Sequence, residues 1–246
     1  VYDVGPWPVV AIVVLAVTAA WLRWWLGRRR AAALETFAAS IGWTYVGDDP
    51  FLADAWQRRP FGPGENRRVS ELVVGRYAGR PAKAFVYRYT TGSGDNRQDH
   101  EYHVVCIALP TWLPSLQLSP QSRGTALLKG LGGADLQLES EDFNRAWWVE
   151  ARDAKYAHDV LHPRTMERLT RPDARVGNLA ISGADAVSWR SGTTDVASLA
   201  ARLAVLSALV DGIPRFVWLD NGYDPAGPSP RYDPDQSSKE SPRWSR

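Results

Sequence analysis

Four histidines fall in two close pairs, and each pair raises the question of a metal. His100 and His103 lie in a run with strand character. An odd separation on a strand turns the two side chains to opposite faces, so they cannot share an ion. His158 and His162 are four apart, which on a helix places both on one face, as in zinc-binding helices. Asp159 stands where that motif has Glu, and Pro163 disfavours helical geometry at His162. A helix end with one capping or packed imidazole is the better reading. Glu139, Glu141, Asp142 and Glu150 gather carboxylates of the kind that do acid/base work, but Ser140-Glu141-Asp142 ahead of Phe143 has the pattern of a helix cap. Gly92-Ser93-Gly94-Asp95 lacks the Gly-Lys-Ser/Thr ending of a phosphate loop and reads as a long hairpin loop. No Gly-x-Ser-x-Gly elbow is present, and Cys106 sits in an apolar strand as a small buried hydrophobe. The sequence therefore nominates no catalytic residue, no cofactor and no metal ligand.

Arginine carries a different chemistry. Of 29 basic residues 25 are Arg, a bias that a GC-rich genome produces on its own, so the positions matter more than the count. Val4–Leu22 is uncharged, and Trp24, Trp25 and Leu26 extend it to the roughly 20 residues that cross a bilayer core. Arg23 interrupts the run near one end, where a long side chain can snorkel to the headgroups. Trp7 marks one interface and Trp21, Trp24 and Trp25 the other, and Arg28-Arg29-Arg30 follow at once. This predicts one transmembrane helix with the N-terminus outside and the C-terminal domain in the cytoplasm. A cleaved signal peptide would carry its basic cluster before the apolar run instead. Residues 51–100 have an excess of four positive charges, part of it in an early loop with Arg58, Arg59, Arg67 and Arg68. Together with Arg28, Arg29 and Arg30 these are the candidate contacts to anionic lipid headgroups. The plainer alternative pairs the loop arginines with Asp54, Glu65 and Glu71.

The elements behind these residues divide the 246-residue chain into three parts. Residues 1–30 form the anchor with its basic flank. Residues 31–220 form a cytosolic α+β domain. Residues 221–246, with five prolines and almost no aliphatics, form a disordered tail. A net charge of +2 argues against nucleic acid as a partner, and one cysteine excludes an intrachain disulfide framework. In the domain a helix over 31–40 ends at Gly42, Trp43–Val46 reads as a strand and Phe51–Trp56 as a helix. Val69–Tyr77, Pro81–Thr90 and His100–Leu109 form an antiparallel meander. Leu116–Leu118 reads as a further strand, Ser122–Leu131 as a short helix, and Ala146–Ala151 as a strand. On that strand Trp147 and Trp148 point to opposite faces, which predicts one of them exposed or at an interface. Lys155–Leu161 and Pro163–Leu169 read as helices. Ala174–Ile181 and Ala186–Trp189 pattern as a second hairpin around Ser182–Asp185. Asp195–Val210 is the clearest helix, with Leu199, Leu203, Leu206 and Val210 as its apolar stripe.

Several separated runs, in order, resemble an uncharacterised actinobacterial family of membrane-anchored proteins. They are Ile41-Gly42-Trp43, then Tyr87 through Asp95, then Glu139 through Asn144 with Ala157-His158-Asp159-Val160-Leu161, and finally Ile213 through Trp218. The resemblance covers about Glu35–Asp220. It implies one or two N-terminal membrane helices and a cytosolic domain, and it assigns no activity and no site residue. The reading that results is an α+β protein: a single transmembrane helix followed by a cytosolic antiparallel sheet with packed helices. Its expected function is that of a membrane-tethered binding or scaffolding module, with the lipid bilayer and a membrane protein as partners. The alternative is a membrane-anchored enzyme, a hydrolase for instance, whose site comes from dispersed residues.

Overall fold

The alternation along Arg80–Thr91 sets the sheet, because Phe85, Tyr87 and Tyr89 face one side while Ala82, Ala84 and Val86 face the other. All six are buried, so both sides of this strand are covered. The computed structural model describes residues 7–54, 61, 64–121 and 136–227. In it α1 (Trp7–Ser40) leads into β1 (Thr44–Gly47), a 3-10 turn at Leu52–Asp54, then β2 (Glu65–Tyr77), β3 (Arg80–Thr91) and β4 (Gln98–Pro120). There follow α2 (Glu141–Ala146), β5 (Trp147–Ala151), α3 (Ala154–Val160), α4 (Pro163–Thr170), β6 (Asn178–Ser191), α5 (Val196–Asp211) and α6 (Arg215–Asp220). The strands form one antiparallel six-stranded sheet in the order β1-β2-β3-β4-β5, with β6 on the far side of β4. β3 pairs with the first half of β4 and β5 with its end, while β6 runs beside both halves.

Two corrections to the sequence reading have one cause. Leu116–Leu118 is no separate strand but the end of the 23-residue β4, and Asn178–Ser191 is one strand where a hairpin is expected. Pro110 and Pro114 each remove a ladder N–H, so β4 bulges between Ala108 and Leu116 rather than ending. Gly183, φ +65°, sits opposite that bulge, where a Cβ would come 2.8 Å from the Trp112 indole. The glycine that looks like a turn signal accommodates a close approach within the strand. Of the helix expected at Phe51–Trp56 the described part holds the 3-10 turn Leu52–Asp54, and Ala55 and Trp56, like the helix expected at Ser122–Leu131, lie outside the described residues.

One face of the sheet carries α2, α4, α5 and the end of α1 over a core that includes Val105, Leu116, Phe143, Leu169 and Leu206. A smaller cluster on the other face joins Phe85, Tyr87, Val104 and Trp189 to Leu52 and Phe61. Trp147 and Trp148 do face opposite ways, yet both are buried, with Trp147 Nε1 donating to the Leu169 carbonyl (3.0 Å) and Trp148 Nε1 to Glu150 (3.0 Å). Asn221–Gly227, part of the predicted tail, folds back on α6: Tyr223 packs edge-on against Trp218, Thr111 donates to the Asn221 carbonyl, and Arg215 pairs with Asp224. The rest of that tail lies outside the described residues.

Candidate functional site

α1 is the feature that sets this chain apart from an ordinary domain. It runs unbroken for 34 residues, about 51 Å at 1.5 Å per residue. Between Val10 and Leu26 its apolar side chains, Val10, Ile12, Leu15, Val17 and Leu22 among them, are exposed, with Trp25 half-buried, and no part of that stretch is buried inside the domain. It is long and apolar enough to cross a membrane. Trp21 and Trp25 stack with centroids 6.4 Å apart, the Arg29 guanidinium lies 3.8 Å from the Trp25 ring centre, and that of Arg28 lies 5.1 Å from that of Trp24.

The same helix then enters the domain. Leu34 and Ala38 are buried and Phe37 half-buried against the sheet. Gly42, φ +71°, closes the helix: Gly42 N–H donates to the Ala39 carbonyl and Trp43 N–H reaches back to that of Ala38 at 2.8 Å. Trp43 is pinned by its indole N–H on the Arg76 carbonyl (3.2 Å) and lies against Gly75, where a Cβ would come 2.3 Å from the ring. Leu34 and Phe37 border a small recess with Glu71, Val73, Ala84, His103, Thr194 and Leu199. A bulge in β2 between Ser70 and Val73 puts Glu71 at φ +56° and turns its carboxylate to accept from the Thr194 hydroxyl.

Behind that space sits a buried polar network. Arg202 of α5 is fully buried and donates through Nε to Ser188 Oγ (3.1 Å), through one terminal nitrogen to His103 Nδ1 (3.0 Å), and through the other to the His103 carbonyl (3.0 Å) and that of Ser188. The Asp195 N–H also donates to His103 Nδ1 (3.2 Å), which places the ring proton on Nε2. Burial, and then the Arg202 charge, push the His103 pKa down to about 3, so the imidazole is neutral. Burial also lowers the Arg202 pKa to about 10, which leaves it charged. The guanidinium staples α5 across β4 and β6, and the junction with α1 rests beside that staple. The apolar stripe already contains the position, since Arg202 lies between Leu199 and Leu203. Reading it as a polar interruption of the stripe is the signal that finds it.

The other sequence candidates disperse. His100 stacks on Tyr89 and engages Thr91 on the face opposite His103. His162 binds the Gly212 carbonyl through Nε2 (2.8 Å), while His158 is exposed on α3. Ser140 caps α2 by accepting from the Phe143 N–H (3.3 Å). Glu139, Asp142, Glu167 and Arg171 border an open groove of about 550 Å3 between α2 and α4, with Asp142 paired to Arg145 and Glu167 to Arg171. Cys106 is buried, which raises its thiol pKa. Arg67 pairs with Asp54 at 2.8 Å, as the plainer reading has it, and Arg68 is exposed on β2. Arg58 and Arg59 lie outside the described residues, and Arg28, Arg29 and Arg30 are exposed on α1. Among the described residues no three His, Cys, Asp or Glu side chains converge as metal ligands would.

These features define an α+β domain built into the end of one long apolar helix. No family model matches the chain, and no curated protein does. Among solved structures the chain is similar to the mycobacterial trehalose monomycolate transport factor A, TtfA, with a TM-score of 0.52 over 74% of this chain and 94% of that one. At 13% identity the likeness is one of fold.

Proposed function

We propose that this chain is a membrane-tethered module, without catalysis of its own, that holds a membrane-protein partner at a set distance from the cytoplasmic face of the cell membrane. The observation that carries the reading is the continuity of α1, which from Val10 to Leu26 exposes an almost wholly apolar surface, broken by Arg23, and whose last turns bury Leu34 and Ala38 against the domain. A flexible tether would serve an enzyme acting on diffusible substrates, whereas a helix built into the core fixes height and orientation, which is what a scaffold requires. The actinobacterial resemblance and the shared fold of the mycobacterial transport factor support the same class, and we extend the reading to an accessory role in membrane transport. The charge asymmetry across α1 supports a cytoplasmic domain.

Cell fractionation and crosslinking test this. The full chain should stay with membranes through alkaline carbonate, and protease added to intact spheroplasts should leave the domain uncut. A photoreactive residue at exposed Phe51 or Trp112 should crosslink to an integral membrane protein. Release by carbonate overturns the anchor, digestion from outside overturns the orientation, and crosslinks to soluble proteins alone overturn the partner.

A further inference from the structure

The two ends of α1 face different ways, and the difference selects among its arginines. At about 100° per residue, Trp21, Trp24, Trp25, Arg28 and Arg29 fall within a sector of roughly 140°. Leu34, Phe37 and Ala38, which hold the domain, fall in a sector roughly opposite, and Arg23 and Arg30 lie on that domain side. In a helix each side chain leans toward the N-terminus, so Arg28 and Arg29 reach back one turn onto the rings of Trp24 and Trp25. A guanidinium lying on an indole keeps its edge N–H groups free, and that edge matches two phosphate oxygens. The indoles mark the depth of the headgroups, and the domain is on the other side of the helix.

We infer that Arg28 and Arg29, stacked on Trp24 and Trp25, form a binding face for the phosphates of anionic phospholipids in the cytoplasmic leaflet, and that Arg23 and Arg30 are outside it. The inference rests on α1 spanning the bilayer. It narrows the seven candidate arginines: Arg67 is engaged by Asp54, and Arg30 is turned toward the domain side. Ring and charge act together here, so the face prefers phosphatidylglycerol over phosphatidylcholine beyond what two bare charges give.

Tryptophan quenching in nanodiscs tests it on the full chain. The bilayer holds equal amounts of phosphatidylcholine and phosphatidylglycerol at physiological salt, with brominated chains on one lipid or the other. The brominated anionic lipid should quench at least about twofold more than the brominated neutral one. The preference should vanish in Arg28→Gln/Arg29→Gln and persist in Arg23→Gln/Arg30→Gln, which removes the same charge from the other side. Equal quenching by the two lipids in the unaltered chain, or equal loss of preference in both double variants, overturns the inference while leaving the anchor in place. Absence of quenching by either lipid means that α1 is not in the bilayer, and the tether reading falls together with the lipid face.

Discussion

At the scale of single residues, the least expected feature is a charged guanidinium in the middle of a helix–sheet interface. Arg202 is tolerated there because four acceptors meet its fork, and one of them, His103 Nδ1, can accept only while the ring is neutral. Arg202→Met should destabilise the full chain by about 3 kcal/mol in urea titrations, because the His103 and Ser188 carbonyls and Ser188 Oγ lose the guanidinium, and His103 Nδ1 keeps only the Asp195 N–H. Arg202→Lys should recover little, since an ammonium cannot span the same set. The pairing also predicts a pH dependence. Burial first, and then the Arg202 and Arg190 charges, hold the His103 pKa at about 3 in the fold against the ordinary 6.5, while Asp195 favours protonation. Above pH 6.5 neither state binds the proton, and the stabilising contact is intact. As pH falls below 6.5 the unfolded chain takes up a proton that the fold refuses, so stability drops by up to about 1.4 kcal/mol per pH unit until the folded pKa is reached. His103→Asn, which keeps an acceptor near the Nδ1 position, should be less stable at neutral pH. Between pH 6.5 and about 4.5 it should also lose roughly 2–3 kcal/mol less than the unaltered chain. Equal slopes in the two proteins would refute the assignment.

At the scale of elements, the boundary between domain and tail is decided by Asn221–Gly227. Composition places these residues in the tail, but the chain uses them to close α6, with Asn221 Nδ2 on the Val217 carbonyl (2.8 Å) and the Tyr223 ring on Trp218. Truncation after Asp220 should therefore cost about 2 kcal/mol more than truncation after Gly227, from two hydrogen bonds and an aromatic pair. Equal melting temperatures for the two truncations would mean that the segment contributes nothing. The same contrast explains what the sequence makes legible. The meander β2–β4, the caps at Ser140 and Asp195, the stop at Gly42 and the stripe of α5 are written locally, in alternation, spacing and capping residues. The single course of β6, the bulged length of β4, the burial of Trp148 and the return of Tyr223 are set by a partner distant in sequence. No local pattern reports such a partner, and Gly183 even reports the opposite. The site divides the same way: the long apolar helix is legible, whereas the Glu71–Thr194 and His103–Arg202 contacts join residues about a hundred positions apart.

At the scale of the whole molecule, the proposal that α1 is a membrane anchor raises the question whether anchor and domain move as one body. α1 has no proline or glycine between Arg28 and Ser40, and one face of its last turns, Leu34 and Ala38, is buried where the helix meets β1 and β2. The space bordered by Leu34 and Phe37 is small, so a tilt of the helix would have to displace Val73, Ala84 or Leu199 from a packed core. A spin label at the level of the headgroups and one on the domain should then report a single narrow distance. Gly27→Cys and Val46→Cys suit the two sites: both positions are exposed, a Cβ at Gly27 meets nothing within 4 Å, and native Cys106 is buried and will not take the label. Four glycines inserted after Arg30 break the helix and convert the connection into a flexible linker with an end-to-end distance of about 11 Å. The distribution should broaden by a comparable amount, with the domain still folded and the anchor still inserted. Should the unaltered chain already show the broad distribution, the helix pivots at its junction and cannot set the height of the domain. If the insertion leaves the distribution narrow, contacts other than α1 hold the domain to the membrane, and the continuity of the helix is not what positions it.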